Sequence, residues 1–93
     1  MNTYERAIDY FGEERQIIQT CEECSELIQA ISKANRYGEK YTDNVAEEIA
    51  DVLIMIEQIK LIFDITDADI ERYKQMKLNR LRVMVKGGFP NEV

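Results

Sequence analysis

Apolar positions recur every three or four residues along most of the chain, and no stretch of useful length alternates in the period-two manner of a strand. The pattern predicts four helices. Asn2 and Glu5 are spaced as a capping box, and Tyr4, Ala7, Ile8 and Phe11 follow at helical spacing before Gly12. A long second helix is expected from about Glu13 to Asn35. Its residues Ile17, Cys21, Cys24, Leu27, Ile28 and Ile31 fall within an arc of roughly 120° on the helical wheel. Residues 36–43 read as a loop. Thr42, Asp43 and Asn44 are N-cap candidates, and Asn44 with Glu47 has capping-box spacing, so a third helix is expected to run to about Phe63. Thr66 and Asp69 can cap a last helix carrying Ile70, Tyr73, Leu81 and Met84, with Gly87, Gly88 and Pro90 ending it.

The third helix departs from a simple amphipathic pattern. Between Ile49 and Phe63 the polar residues are Asp51, Glu57, Gln58 and Lys60. A helix that is apolar nearly all round is buried on more than one side. A chain of 93 residues can hardly cover both sides alone. The expected fold is therefore all-α: an antiparallel bundle of about four helices, one domain over residues 1–93, completed by homo-oligomerisation as a dimer or tetramer. A flexible tail is expected from about residue 87.

Composition narrows the function classes. The net charge is −6, from 18 acidic against 12 basic residues, which disfavours nucleic acid and anionic lipid as partners. The longest unbroken apolar run, Val52–Ile56, is five residues, against about 20 for a membrane span. The N-terminal residues form no apolar signal core and the two cysteines no disulfide framework, so a cytoplasmic protein is expected. Cys21 and Cys24 lie mid-helix on the apolar arc, where buried small hydrophobes are the expected reading rather than a redox pair. The chain has no histidine. That excludes Ser-His-Asp and Cys-His catalysis, ordinary zinc enzymes and the Glu-x-x-His di-iron bundle. A metal here must be held mainly by oxygen, which suits Mg²⁺, Mn²⁺ or Ca²⁺.

The acidic residues are placed unevenly. Glu22, Glu23 and Glu26 share an arc of about 100° on the second helix. A solvated acidic face is the ordinary meaning of such a cluster. Glu48 and Asp51 stand three apart on the apolar third helix, where a carboxylate is costly unless paired or bound to a cation. Packed antiparallel, the two helices can bring four carboxylates across one groove, as a Mg²⁺ site that also takes phosphates requires. Pairing of Glu48 or Asp51 with an arginine of the last helix is the structural alternative. Residues 72–86 contain Arg72, Lys74, Lys77, Arg80, Arg82 and Lys86 and no acid. Such a stretch suits a polyphosphate facing the metal, or simply a favourable helix C-terminus.

Glu22-Glu23-Cys24-Ser25-Glu26-Leu27 is an EExxE-Leu motif, and Glu48-Ile49-Ala50-Asp51-Val52 is an ExxD-Val motif. In this order, on two helices, they resemble the MazG-like all-α nucleotide pyrophosphohydrolase superfamily, with similarity over roughly Gln16 to Arg82. The resemblance implies an oligomeric enzyme that uses Mg²⁺, or Mn²⁺, to cleave nucleoside triphosphates to the monophosphate and pyrophosphate. It implies that Glu23, Glu26, Glu48 and Asp51 bind metal. It gives Glu22 a catalytic part, as a further ligand or in orienting water, and Lys77, Asn79 and Arg80 contact with phosphate or nucleoside. It also implies a role in clearing unwanted nucleotides. Met55 stands where some relatives carry a base-stacking ring. Two other functions fit the residues: a noncatalytic acidic helical interaction module, and a nucleotide-binding sensor.

Overall fold

The computed structural model describes residues 1–87. The described residues form four α-helices and one 3-10 turn, in the order α1 (Thr3–Phe11), α2 (Glu13–Tyr37), the turn Glu39–Tyr41, α3 (Thr42–Ile62) and α4 (Asp67–Val85). No strand occurs among them. The expected flexible tail lies almost wholly outside the described residues.

Local chemistry sets most boundaries. Asn2 Oδ1 accepts from the Glu5 N–H at 2.8 Å while the Glu5 carboxylate accepts from the Asn2 N–H at 2.9 Å. Thr66 and Asp69 form the same reciprocal cap at the start of α4, both bonds 3.1 Å. Each cap satisfies two N–H groups that the helix cannot. The capping box expected from Asn44 and Glu47 does not form. The third helix begins earlier, at Thr42, because the 3-10 turn carries the chain into it without a side-chain cap. Gly38, at φ 96°, allows the reversal between α2 and that turn.

The long helices α2 and α3 pack antiparallel as a hairpin, and α1 lies across its open end against both. The small core holds Ala30, Val52 and Met55, with the polar residues Gln16 and Gln58 also buried. The face of α2 turned inward runs through Gln16, Thr20, Glu23, Leu27, Ala30 and Ala34, which with Ile17 and Gln19 are the less exposed positions of the helix. This corrects the expectation for the cysteines. Cys21 and Cys24 are exposed, because α2 is rotated so that its Ile17–Ile31 arc meets α3 only at its edge, near Leu27. The helix α3 buries one side through Val52, Met55 and Gln58 and leaves Ile49, Leu53, Ile54 and Ile56 exposed.

The last helix is set apart. No residue of α4 is buried, and it packs against none of the other helices. It leaves α3 through a turn at Asp64, which takes φ 55°. Lys60 Nζ ties that turn, bonding both Glu57 carboxylate oxygens at 3.1 Å and pairing with Asp67. The resulting shape is open: the radius of gyration is 16.9 Å and the extents 49 × 37 × 19 Å. A compact domain of this length would have a radius of about 12 Å.

Candidate metal centre

Antiparallel packing of α2 on α3 brings acids from both helices to one place. Glu23 and Glu26, one turn apart on α2, meet Glu48 of α3, and one carboxylate oxygen from each lies within 4.8 Å of the others. Like charges this close repel, and the ionisation of the site reflects it. The Glu26 carboxyl is held above the ordinary range, first by the negative charge of Glu23, then by partial burial and by Glu48. Glu48 is raised first by partial burial, then by the charges of Asp51, Glu23 and Glu47.

Two of the oxygens have no partner. Glu23 Oε2 and Glu48 Oε2 are shielded from solvent and, among the described residues, accept from no N–H or hydroxyl donor; only a proton on the raised Glu26 carboxyl could be shared with these carboxylates. Buried carboxylate oxygens are normally satisfied, by protein, water or an ion. The other oxygen of Glu23 is accounted for: Gln19 Nε2, one turn earlier, donates to Glu23 Oε1 at 2.9 Å. That bond fixes the rotamer that turns Oε2 inward. Hard oxygen donors with unmet acceptor capacity fit a divalent cation such as Mg²⁺ or Mn²⁺. No nitrogen or sulfur donor belongs to the group.

The other residues picked out in the sequence fall in three places. Asp51 is half-buried on α3 and lies outside the group of three, yet its charge acts on Glu48. Glu22 is exposed and lines a cleft of about 660 Å³ with Phe11, Arg15, Ile18 and Gln19, on another face of α2 from Glu23. One residue along a helix is a rotation of about 100°, so neighbours in an EE pair cannot both face the groove. Lys77, Asn79 and Arg80 are exposed on α4, which does not pack on the helices bearing the carboxylates. Asn79 instead accepts from Arg82 Nη1 at 2.7 Å. Within one chain, then, the acidic and basic halves of the expected site are not together.

Sequence reasoning missed Gln19 and the buried amides Gln16 and Gln58. Gln19 carried a usable signal, since it precedes Glu23 by four residues and so lies on the same face. Gln58 carried one too, as a polar residue in an apolar helix.

These features define a class: a protein all-helical over its described residues, whose central hairpin gathers three carboxylates from two helices. The chain matches the family model described as the MazG nucleotide pyrophosphohydrolase domain over residues 11–77, and it belongs to that family. The match begins at the end of α1 and takes in the hairpin and the first half of α4. No curated protein and no solved structure matches the chain significantly. Among the described residues no helix is long and apolar enough to cross a membrane.

Proposed function

We propose that this member hydrolyses (deoxy)nucleoside triphosphates to the monophosphate and pyrophosphate, with Mg²⁺, or Mn²⁺ in its place, held by Glu23, Glu26, Glu48 and Asp51. The observation that carries the reading is the group Glu23–Glu26–Glu48, with two buried carboxylate oxygens left unpartnered. A cation bound there supplies charge neutralisation for the phosphates and a lowered pKa for a water. The chain's own part is to hold the carboxylates ready. Gln19 fixes Glu23, the hairpin opposes Glu26 to Glu48, and Asp51 adds charge beside Glu48. Glu22 acts from the neighbouring face, on water or a further cation. Met55, one turn beyond Asp51, is buried in the core and offers no ring for a base.

Lys77, Asn79 and Arg80 bind the phosphates or nucleoside, and they do so in a homo-oligomer, dimer or tetramer. The support is the open monomer. The exposed side of α3 and the apolar residues Ile70, Tyr73, Leu81 and Met84 of α4 have no cover among the described residues of one chain. A second copy supplies that cover, and it can carry a basic α4 to an acidic hairpin. The setting is cytoplasmic, where triphosphates and Mg²⁺ are abundant, and the role is removal of unwanted nucleotides.

The test is incubation of the purified protein with Mg²⁺ and a panel of ribo- and deoxyribonucleoside triphosphates, with product identification. Monophosphate and pyrophosphate, lost with EDTA and in Asp51→Asn while the helical fold stays intact, are expected. Stoichiometric nucleotide binding without turnover would instead identify a sensor. Neither binding nor turnover would leave an interaction module. Light scattering tests the assembly, and a stable monomer at micromolar concentration would refute it.

A further inference from the structure

One buried polar contact in the hairpin has no part in holding phosphate or metal. Gln16 Nε2 donates to Gln58 Oε1 at 2.7 Å, across 42 residues of sequence. The two side chains are 6% and 2% exposed, so this bond forms out of water. Gln58 Nε2 turns back to its own helix, to the Ile54 carbonyl at 3.4 Å and Met55 Sδ at 3.7 Å. That leaves its carbonyl oxygen aimed at Gln16. A buried amide pair adds little net stability over apolar packing, but it accepts only one alignment of its helices.

The alignment it accepts is the one the carboxylates need. In antiparallel helices, Gln16 opposite Gln58 places Glu23 opposite Asp51, seven residues along each helix, and Glu26 opposite Glu48, ten along each. The acids therefore lie between two ties. One is the short connection through Gly38 and the turn Glu39–Tyr41. The other is the amide pair near the open end. Between them, carboxyl oxygens within 4.8 Å push α2 and α3 apart. The buried apolar residues around them are few, Ala30, Val52 and Met55, and much of the apolar surface of α3 faces outward. Apolar contact is non-directional, so it specifies register less sharply than a buried hydrogen bond does.

We propose that Gln16 and Gln58 are positioning residues, whose buried hydrogen bond holds α2 and α3 in the register that opposes the carboxylates. The proposal rests on the metal-site reading above but concerns the hairpin itself, so its test does not depend on turnover. The variants are the near-isosteric Gln16→Met/Gln58→Met pair and, as rescue, Gln58→Glu, which keeps an acceptor for the Gln16 N–H. Each is made in the full chain. Mn²⁺ affinity is measured by calorimetry. The hairpin is measured by the distance between spin labels at Glu14→Cys and Phe63→Cys, both exposed, in a Cys21→Ala/Cys24→Ala background diluted with unlabelled protein.

The double Met variant is expected to keep its helicity and melting temperature, lose about tenfold or more in Mn²⁺ affinity, and show a shifted or broadened label distance. Gln58→Glu, whose carboxyl still accepts from the Gln16 N–H, is expected to keep the label distance of the parent. A double Met variant that matches the parent in both affinity and label distance overturns the proposal. If the parent binds no Mn²⁺, the metal reading fails, and the label distance alone then decides whether the pair sets the register. Should the double Met variant fail to fold, Gln58→Asn, which keeps an amide but shortens its reach, replaces it with the same readouts. An unchanged label distance and affinity there overturn the proposal equally.

Discussion

The hairpin of α2 and α3 and the lone helix α4 are of similar local quality and opposite tertiary fate. All three helices have sound boundaries, and α4 has the better N-terminus, with its reciprocal Thr66–Asp69 cap. Yet the hairpin buries Ala30, Val52 and Met55 while α4 buries nothing. Helix-forming sequence is a local property, whereas the place where a helix rests is a property of faces. The faces of α2 and α3 fit each other within one chain. Those of α4 find no counterpart among the described residues. Charge divides the same way, with the carboxylates gathered on the hairpin and six basic residues in the last helix and its end.

The sharpest way to break this comparison is to remove one carboxylate from the hairpin. Glu48→Gln is expected to lower kcat by on the order of 10²–10³-fold, since a preorganised charge at the reacting centre is lost. The same change should raise the melting temperature of the metal-free protein, because it removes repulsion among Glu23, Glu26 and Glu48. Turnover assays with EDTA-treated and Mg²⁺-loaded protein, beside a melting curve, check both halves. A drop in both activity and stability would mean that Glu48 serves packing.

The matching change on the other side is Arg80→Ala. Arg80 is exposed, and its helix packs against no other helix among the described residues, so the melting temperature should stay put. The expected loss is about tenfold or more in kcat/KM, from a charge-assisted contact to phosphate worth about 1.5–3 kcal/mol. Mn²⁺ affinity without nucleotide should not move. Unchanged kcat/KM would separate α4 from the site altogether.

The legible and illegible parts of the sequence follow the same divide. The caps at Asn2 and Thr66 and the helical periods were readable, because spacing of three and four residues decides them locally. The meeting of Glu23, Glu26 and Glu48 was also readable, since two carboxylates one turn apart on α2 had an apolar helix bearing acids to face. The rotation of α2 was not. Its most apolar arc, through Cys21, Cys24, Ile28 and Ile31, stays exposed, and the inward face carries Gln16, Thr20 and Glu23 instead. Periodicity finds the apolar stripe but does not say whether it meets its own chain or another. The Asn44–Glu47 cap failed for a related reason: the tight turn after Gly38 already carries the chain into helix at Thr42. The buried amides were visible only as polar exceptions, and their pairing is a long-range fact.

A smaller effect tests whether α4 is coupled to the hairpin at all. Thr66→Ala removes the side chain that accepts from the Asp69 N–H and should weaken the helix by about 1 kcal/mol. If α4 unfolds independently, helicity falls at low temperature while the main melting transition stays put. If α4 docks on a second copy, the loss appears in the main transition and steepens on dilution. Circular dichroism melts at two protein concentrations distinguish the cases, and the second result is expected.

The mildest perturbation is pH, and between mildly acidic and neutral values it acts chiefly on the hairpin. The Glu26 and Glu48 carboxyls sit above their ordinary values in the folded, metal-free chain, Glu26 chiefly through the charge of Glu23 and Glu48 chiefly through burial. A carboxyl raised by folding binds its proton more tightly in the native state than in the unfolded one. Its contribution to stability is therefore fully present below the unfolded value of about 4.3 and is lost as pH rises through the raised native value. Asp69 works in the opposite sense, held low chiefly by the Thr66 backbone N–H, but its contribution is lost only below the ordinary aspartate range. In the window just above that range the two glutamates set the slope. The metal-free protein is expected to melt at a higher temperature at mildly acidic pH than at neutral pH. Saturating Mg²⁺ should flatten or reverse that slope, because the cation binds the ionised carboxylates and competes with protons for them. The same slope with and without Mg²⁺ would mean that these carboxyls titrate without seeing the metal.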